Sequence, residues 1–279
     1  MLAGLALFSS LLWGTSDFLG GRLAKRFPSL AVTGASQFMG LIVGVGLLCI
    51  TSGWRTPTFA FSGYLASGVI AGLAGFIGLV SYYSGLSTGK MGVVAPITSL
   101  SAVIPVIYGF MQGERPQPLQ LGGMAIALLG CFLASGPEIR SGVSAKPIAL
   151  GVLTAFMFGI TLVFMARGAK VDSLLTMTTM RCTTVSVCLL IALRMRGVGG
   201  FTRRDLPALI LIGVSDFLAN YTLGVASTKG LVSVAMVLGS VFPVVTTLLA
   251  FKFLHERMKK VQYAGAFLAL VGVCCISIV

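Results

Sequence analysis

Asp17, Arg181, Asp216 and Asn220 all lie inside long apolar runs of this 279-residue chain. A charge near the centre of a bilayer costs about 2.5 to 3.5 kcal/mol on insertion scales, so such residues face a bundle interior, where they pair or serve a solute or ion path. Asp17 stands in "LLWGTSDFLGG" at 11–21, on a stripe of Ser10, Trp13, Gly14, Asp17, Gly20 and Gly21 that follows helical spacing. That face is small and polar, with an aromatic above the acid, and suits a pathway wall. Gly213, Asp216, Asn220 and Gly224 form a second stripe of the same kind. Arg181 offers a planar fork of donors suited to a carboxylate, either of a solute or of Asp17 or Asp216. Two roles are open to Asp17. It is either a coupling site that exchanges a proton against a cationic partner or solute amine, or a carboxylate locked to Arg181 or capping an interrupted helix.

The elements that hold these residues must cross a membrane. With 56% hydrophobic and 10% charged residues, the chain is too apolar for a soluble domain of its length. A bilayer core about 30 Å thick needs roughly 20 apolar residues per helix. Such stretches are predicted at 2–20, 30–50, 61–85, 91–111, 118–135, 147–166, 173–193, 206–227, 232–251 and 261–279, which makes an all-α integral membrane protein of ten helices. The connections are short and leave no room for a soluble domain, so function belongs within the bundle. The first span has neither a basic leader nor an evident cleavage site and is read as retained.

The net charge of +13 does not point to nucleic acid, because the basic residues sit at span ends, where they meet anionic lipid and set orientation. Connections after the odd-numbered spans carry fourteen of the twenty Lys and Arg residues, and those after the even-numbered spans carry five. The positive-inside rule then puts both termini outside the cytoplasmic membrane.

The chain repeats itself. "LQLGGMAIALLGCFLAS" after Glu114 and Arg115 aligns with "VQYAGAFLALVGVCCIS" after Glu256 and Arg257 at an offset of 142. Gly14, Arg22, Ala24 and Lys25 match Gly159, Arg167, Ala169 and Lys170 at 145, and Tyr82 and Gly85 match Tyr221 and Gly224 at 139. Arg181 falls opposite Gln37 at 144, a cation in one half against a neutral amide in the other. The halves are 1–140 and 141–279, each of five helices. Because five is odd, the second half enters the membrane from the opposite side. Inverted repeats of this kind characterise secondary carriers, which alternate access around a midplane site.

Pro96 and Pro105 interrupt the fourth span and Pro243 the corresponding ninth. Each removes an amide donor, and the freed carbonyls need protein or a water-lined cavity. The pathway is therefore expected to run past Pro96 and Pro243, with Trp13, Asp17, Gln37, Arg181, Asp216 and Asn220 in its wall. Tyr82 and Tyr221, at matched positions, either bond the solute or belong to the interfacial belt. Pairs such as Gly40 with Gly44 and Gly68 with Gly72 are read as close-packing surfaces between helices. The six cysteines, without a CxxC or a nearby histidine, are read as buried inert thiols, and neither metal nor other cofactor is expected.

"WGTSDF" in the first span, the two five-helix halves, "GER" at 113–115, and "FPVVTTLLAFKFLHER" at 242–257 before a glycine-rich last helix together resemble the drug/metabolite transporter superfamily in its EamA-like branch. The resemblance covers nearly the whole chain. It implies a ten-helix carrier that moves small metabolites such as amino acids across the cytoplasmic membrane, often outward. This chain departs from the pattern in having Gln37 where that family often has an arginine, and in "SLSAVIP", whose proline falls four residues after Ser101, where one is expected.

The expected partners are a small solute with mixed polarity, such as a zwitterion, membrane lipid, and protons as a coupling ion. Two rivals come from other classes. An enzyme acting on a lipid carrier needs acids, histidines or metal ligands clustered near an interface, whereas the single histidine, His255, stands in a basic loop. A scaffold or receptor subunit has no evident reason to keep paired prolines and buried charges.

Overall fold

Helical spacing of small residues, more than hydrophobicity, decides how these apolar segments pack, because lipid is as apolar as the side chains it would replace. The computed structural model describes residues 1–57, 60–87, 91–136, 145–195, 199–254 and 258–278. Among them every regular element is a helix: α1 (Leu2–Ala24), α2 (Ser29–Thr51), α3 (Tyr64–Ser87), α4 (Met91–Ser99), a 3-10 turn (Leu100–Ala102), α5 (Val103–Met111), α6 (Pro118–Ala134), α7 (Ala145–Met195), α8 (Leu206–Ser227), α9 (Val232–Gly239), α10 (Phe242–Leu254) and α11 (Lys260–Ser277). Eight stretches of the described chain are long and apolar enough to cross a bilayer, and α6 is a shorter apolar helix beside them. The protein is thus a multi-pass, all-helical membrane protein.

One boundary differs from the sequence expectation. The spans at 147–166 and 173–193 were expected as separate helices joined by a polar connection, but α7 runs through both and is interrupted only at Asp172, whose φ of −162° and ψ of 114° are non-helical. The Asp172 carboxylate accepts the Leu175 N–H at 2.9 Å, so the aspartate caps a second arm that begins at once. The polar run "ARGAKVD" therefore extends the first arm and bends it at one residue.

Small residues make the contacts where they were expected. Gly123 and Gly130 of α6 lie against Gly272 and Ala269 of α11, and Gly265 lies against Leu133 and Ala134. A Cβ at Gly130 would collide with the Ala269 backbone, so these helices touch main chain to main chain. Gly68 and Gly72 of α3 seat Thr179 and Thr183 of α7, while Gly40 and Gly44 of α2 receive Phe217 of α8. The outward surface carries large apolar side chains such as Phe8, Ile42, Leu129, Leu190 and Phe267, which suits hydrocarbon. The cysteines are a correction. Only Cys131 and Cys188 are buried, whereas Cys49, Cys182 and Cys274 are exposed, because an apolar exterior accommodates a thiol as readily as an apolar interior does.

Two connections meet at Asp205, just before α8. Its carboxylate accepts the Thr202 hydroxyl at 2.7 Å and the Thr202 N–H at 3.0 Å, and pairs with Arg26, beyond the end of α1, at 3.2 Å. These bonds, the Thr202 hydroxyl first, hold the Asp205 carboxyl below the usual carboxylate range. The contribution to stability is complete above the unfolded-state value and is lost as the pH falls through the folded one. The difference in unfolding temperature between wild type and Asp205→Asn should therefore hold steady above about pH 5 and shrink below about pH 4. Thermal unfolding across pH 3 to 8 measures it, and a difference that grows on acidification contradicts it.

Candidate functional site

A cavity opens between the helices, walled by α1, α2, α3, α7, α8 and the two breaks in the chain that follow α4 and α9. Six sequence-derived candidates line it: Trp13, Asp17, Gln37, Arg181, Asp216 and Asn220. They divide into a closed network and one residue outside it.

Asp216 of α8 is the hub of the network. Arg181 of α7 approaches its carboxylate at 2.9 Å and also donates to its main-chain oxygen at 3.2 Å. Gln37 of α2 donates to one carboxylate oxygen at 2.8 Å, while the Trp13 indole of α1 and the Asn220 amide donate to the other at 3.1 and 3.2 Å. Arg181 in turn donates to Gln37 Oε1 at 2.7 Å, so two residues that the internal repeat matches at an offset of 144 meet face to face. The remaining guanidinium nitrogen, Nε, has no hydrogen-bond partner and lies against Gly40 of α2. Four helices are tied through one carboxylate, and the arginine, 2% exposed, is engaged in the tie through both terminal nitrogens.

Asp17 stands apart. Among the described residues no cation lies within ion-pair distance of it, so of the two partners open to Arg181 the structure brings it to Asp216. The neighbours of Asp17 are the Tyr82 hydroxyl of α3 and, at longer range, Tyr83 and the Asp216 charge. Tyr82 stacks obliquely with Tyr83 and Phe158 and stays behind the cavity wall. Tyr221 is half-buried in the apolar core and does not reach the cavity.

The prolines act one step away from where they stand. The chain stays helical through Pro96 and turns 3-10 at Leu100–Ala102, because Pro105 has no N–H for the Ser101 carbonyl. Pro243 likewise deprives the Gly239 carbonyl, and the helix breaks at Ser240 and Val241. Pro96 and Pro243 are buried outside the cavity lining, whereas Ser101 and Ser240 at the breaks line it. Sequence reasoning missed both serines, together with Thr161, Thr184, Phe158 and Phe242. The serines carry a usable signal, since they match at the same offset of 139 as Tyr82 and Tyr221.

Glu114, noted in the sequence only as part of "GER", joins the two halves. Its carboxylate accepts the Val232 N–H at 2.6 Å, the Ser233 N–H at 3.0 Å and the Ser233 hydroxyl at 2.6 Å, capping the start of α9 from beyond the end of α5. Gly109 leaves room for this, because a Cβ there would strike the Glu114 carboxylate. The Gly230 connection beside the cap lies against Leu2, on the face of the chain that carries the N-terminus. His255, Glu256 and Arg257 lie outside the described residues. Charged hydrogen bonds are worth about 1.5 to 3 kcal/mol each, so Glu114→Ala should raise amide exchange over α9 by about ten-fold or more, with Glu114→Gln intermediate. Unchanged exchange over Val232–Gly239 would remove the cap from the account.

A bundle of apolar helices around a cavity that holds a few buried charged and amide side chains, with helices broken at its wall, has the form of a membrane solute carrier. The EamA-like transporter family matches residues 2–136 and 145–278, and the chain belongs to that family. A crystal structure of a protein 19% identical in sequence superposes with a TM-score of 0.79, over 99% of this chain and 96% of that one, and shares the fold. Comparison with curated proteins gives no significant match.

Proposed function

We propose that this chain is a secondary carrier of the cytoplasmic membrane that moves a small polar or amphipathic metabolite, an amino acid or a related amine, by alternating access. The observation that carries the reading is a difference between two pairs of half-helices. In repeat register, α5 corresponds to α10 and α9 to α4. α5 packs against α9 and is latched there by Glu114, whereas among the described residues α4 and α10 do not pack along one another. One pair closed and its counterpart, over its described residues, apart, with a cavity holding buried charged side chains between, fits a carrier at one end of its cycle. Exchange of the two arrangements would then present the cavity to the other side.

Counting the arms of α7 separately, and each broken helix once, gives ten crossings in two inverted sets of five, 1–140 and 141–279. The charge pattern of the loops puts both termini outside, which makes the Glu114 side the outer one. Outward movement of the solute follows from the resemblance to the family. Asp17, free of a cation, can carry a proton on the return half-cycle, so protons are the coupling ion in this reading. Lipid contacts the outer surface, and neither nucleic acid nor a catalytic step enters the mechanism.

The test fills the cavity without touching its polar network. A Cβ at Gly75 of α3 would meet Thr161 and Met180 at ordinary contact distances of 3.6 and 3.8 Å, so a longer side chain there must grow into the cavity. Gly75→Leu should fold and retain the Asp216 network while losing saturable solute flux in reconstituted vesicles. Undiminished flux would place the path elsewhere.

A further inference from the structure

The cavity wall is unbalanced in both charge and hydrogen-bond polarity. Two carboxylates and one guanidinium line it, and the guanidinium is held by Asp216 and Gln37. The indole N–H of Trp13 and the amides of Gln37 and Asn220 are likewise turned onto Asp216. What is left for a solute is the Asp17 carboxylate.

The hydroxyls point the same way. A threonine or serine hydroxyl has one proton to give. Thr161 donates to the Met157 carbonyl at 2.9 Å, Thr184 to that of Gly72 at 3.0 Å, and Ser240 to that of Met236 at 2.7 Å. Each therefore offers the cavity lone pairs. Among the described residues the Arg181 Nε–H and the Ser101 hydroxyl are the lining donors without a partner, and the others named are turned onto protein acceptors. Trp13, Phe158 and Phe242 supply aromatic surface, whose faces attract a cation and whose bodies bury an apolar one.

We infer that the cavity selects organic amines in their protonated form, with Asp17 holding the ammonium group, over zwitterions and carboxylic acids. This rests on the carrier reading above and names the chemistry of its solute. A carboxylate in the cavity meets no free cation, a wall of acceptors and the charge of Asp17. An amino acid gains the ammonium contact and loses that advantage at its other end. A protonated primary amine on a compact aryl or alkyl body matches the Asp17 carboxylate, the hydroxyl lone pairs and the aromatic surface.

The experiment compares three probes with one body, phenethylamine, phenylalanine and 3-phenylpropionate, together with butylamine, on the purified full chain. Thermal unfolding and mutual competition are read for wild type, Asp17→Asn and Asp17→Glu. Phenethylamine is expected to raise the unfolding temperature, phenylalanine to need at least about ten times the concentration for the same shift, since a charged group taken from water without a partner costs at least that much, and phenylpropionate to do nothing. The same amine shift should need roughly 10- to 100-fold more amine in Asp17→Asn and be restored in part in Asp17→Glu. Tighter binding of phenylalanine or phenylpropionate overturns the inference, as does an amine response in Asp17→Asn at the concentrations that serve wild type, or one missing from wild type for both amines. Saturable flux of a zwitterion that binds more tightly than its amine would overturn this inference and leave the carrier standing. Absence of saturable flux for any solute that binds would sink the carrier reading instead.

Discussion

Arg181→Ala should unfold far more easily than wild type and should be the most damaging single substitution in the cavity. The guanidinium is buried, and its removal strands the Asp216 carboxylate, which is 15% exposed, with no other cation within ion-pair distance among the described residues. Breaking a buried pair from one side typically costs about 3 to 5 kcal/mol, a large share of the roughly 5 to 15 kcal/mol that holds a domain together. Replacing both partners, as in Arg181→Met with Asp216→Leu, removes the stranded charge and should recover most of the loss. Recovery should be incomplete, because Trp13, Gln37 and Asn220 would each keep a donor without its acceptor. The unfolding temperatures of the two single variants and the double variant in detergent measure the coupling. Simple additivity, or a fully stable Arg181→Ala, would mean that the pair does not hold α7 to α8 as described.

Asp17→Asn should behave in the opposite way, folding normally and losing solute. Asp17 has no ion pair to break among the described residues, and asparagine occupies nearly the same space. Its loss is in recognition. A charged hydrogen bond is worth about 1.5 to 3 kcal/mol, so affinity for an amine should fall by roughly 10- to 100-fold. If Asp17 also carries the coupling proton, a pH gradient should no longer drive flux through the variant, while exchange of solute across both sides should persist at high concentration. An Asp17→Asn protein as unstable as Arg181→Ala, or one with unchanged affinity, would return Asp17 to a structural role. The contrast between these two substitutions separates what builds the cavity from what the cavity recognises.

Much of this site stands out in the sequence because lipid makes charge conspicuous. Asp17, Arg181 and Asp216 interrupt apolar runs where each must have a reason, and the repeat register even set Arg181 opposite Gln37, which it now proves to touch. The partner of Arg181 was not legible, because a guanidinium reaches either aspartate equally well on spacing alone. Ser101, Thr161, Thr184 and Ser240 were hidden for a different reason. Hydroxyls in membrane helices commonly bond the carbonyl one turn back, so their presence carries no sign of a cavity, and only the direction of that bond reveals what they present to it. Glu114, at a span end, carried no sequence sign of its partner. Its role depends on α9 arriving 118 residues later to present its first amides. Similarly, the break in α7 was placed correctly at its second arm, but no local signal told a loop from a single capped residue. For the helices themselves, apolar length located nearly every element, and the glycine pairs named their contact faces, because close packing is what lipid leaves to choose between.

The most direct test of the account is counterflow through wild-type protein in reconstituted vesicles. Vesicles are preloaded with unlabelled phenethylamine, diluted into a trace of the labelled compound, and followed for transient accumulation. A carrier that exposes one cavity alternately to each side exchanges solute faster than it moves net, so the label should overshoot its equilibrium level and then decay, and Gly75→Leu should abolish the overshoot. Label that enters no faster into loaded than into empty vesicles, across this amine and matched zwitterions alike, would contradict a carrier built on this cavity.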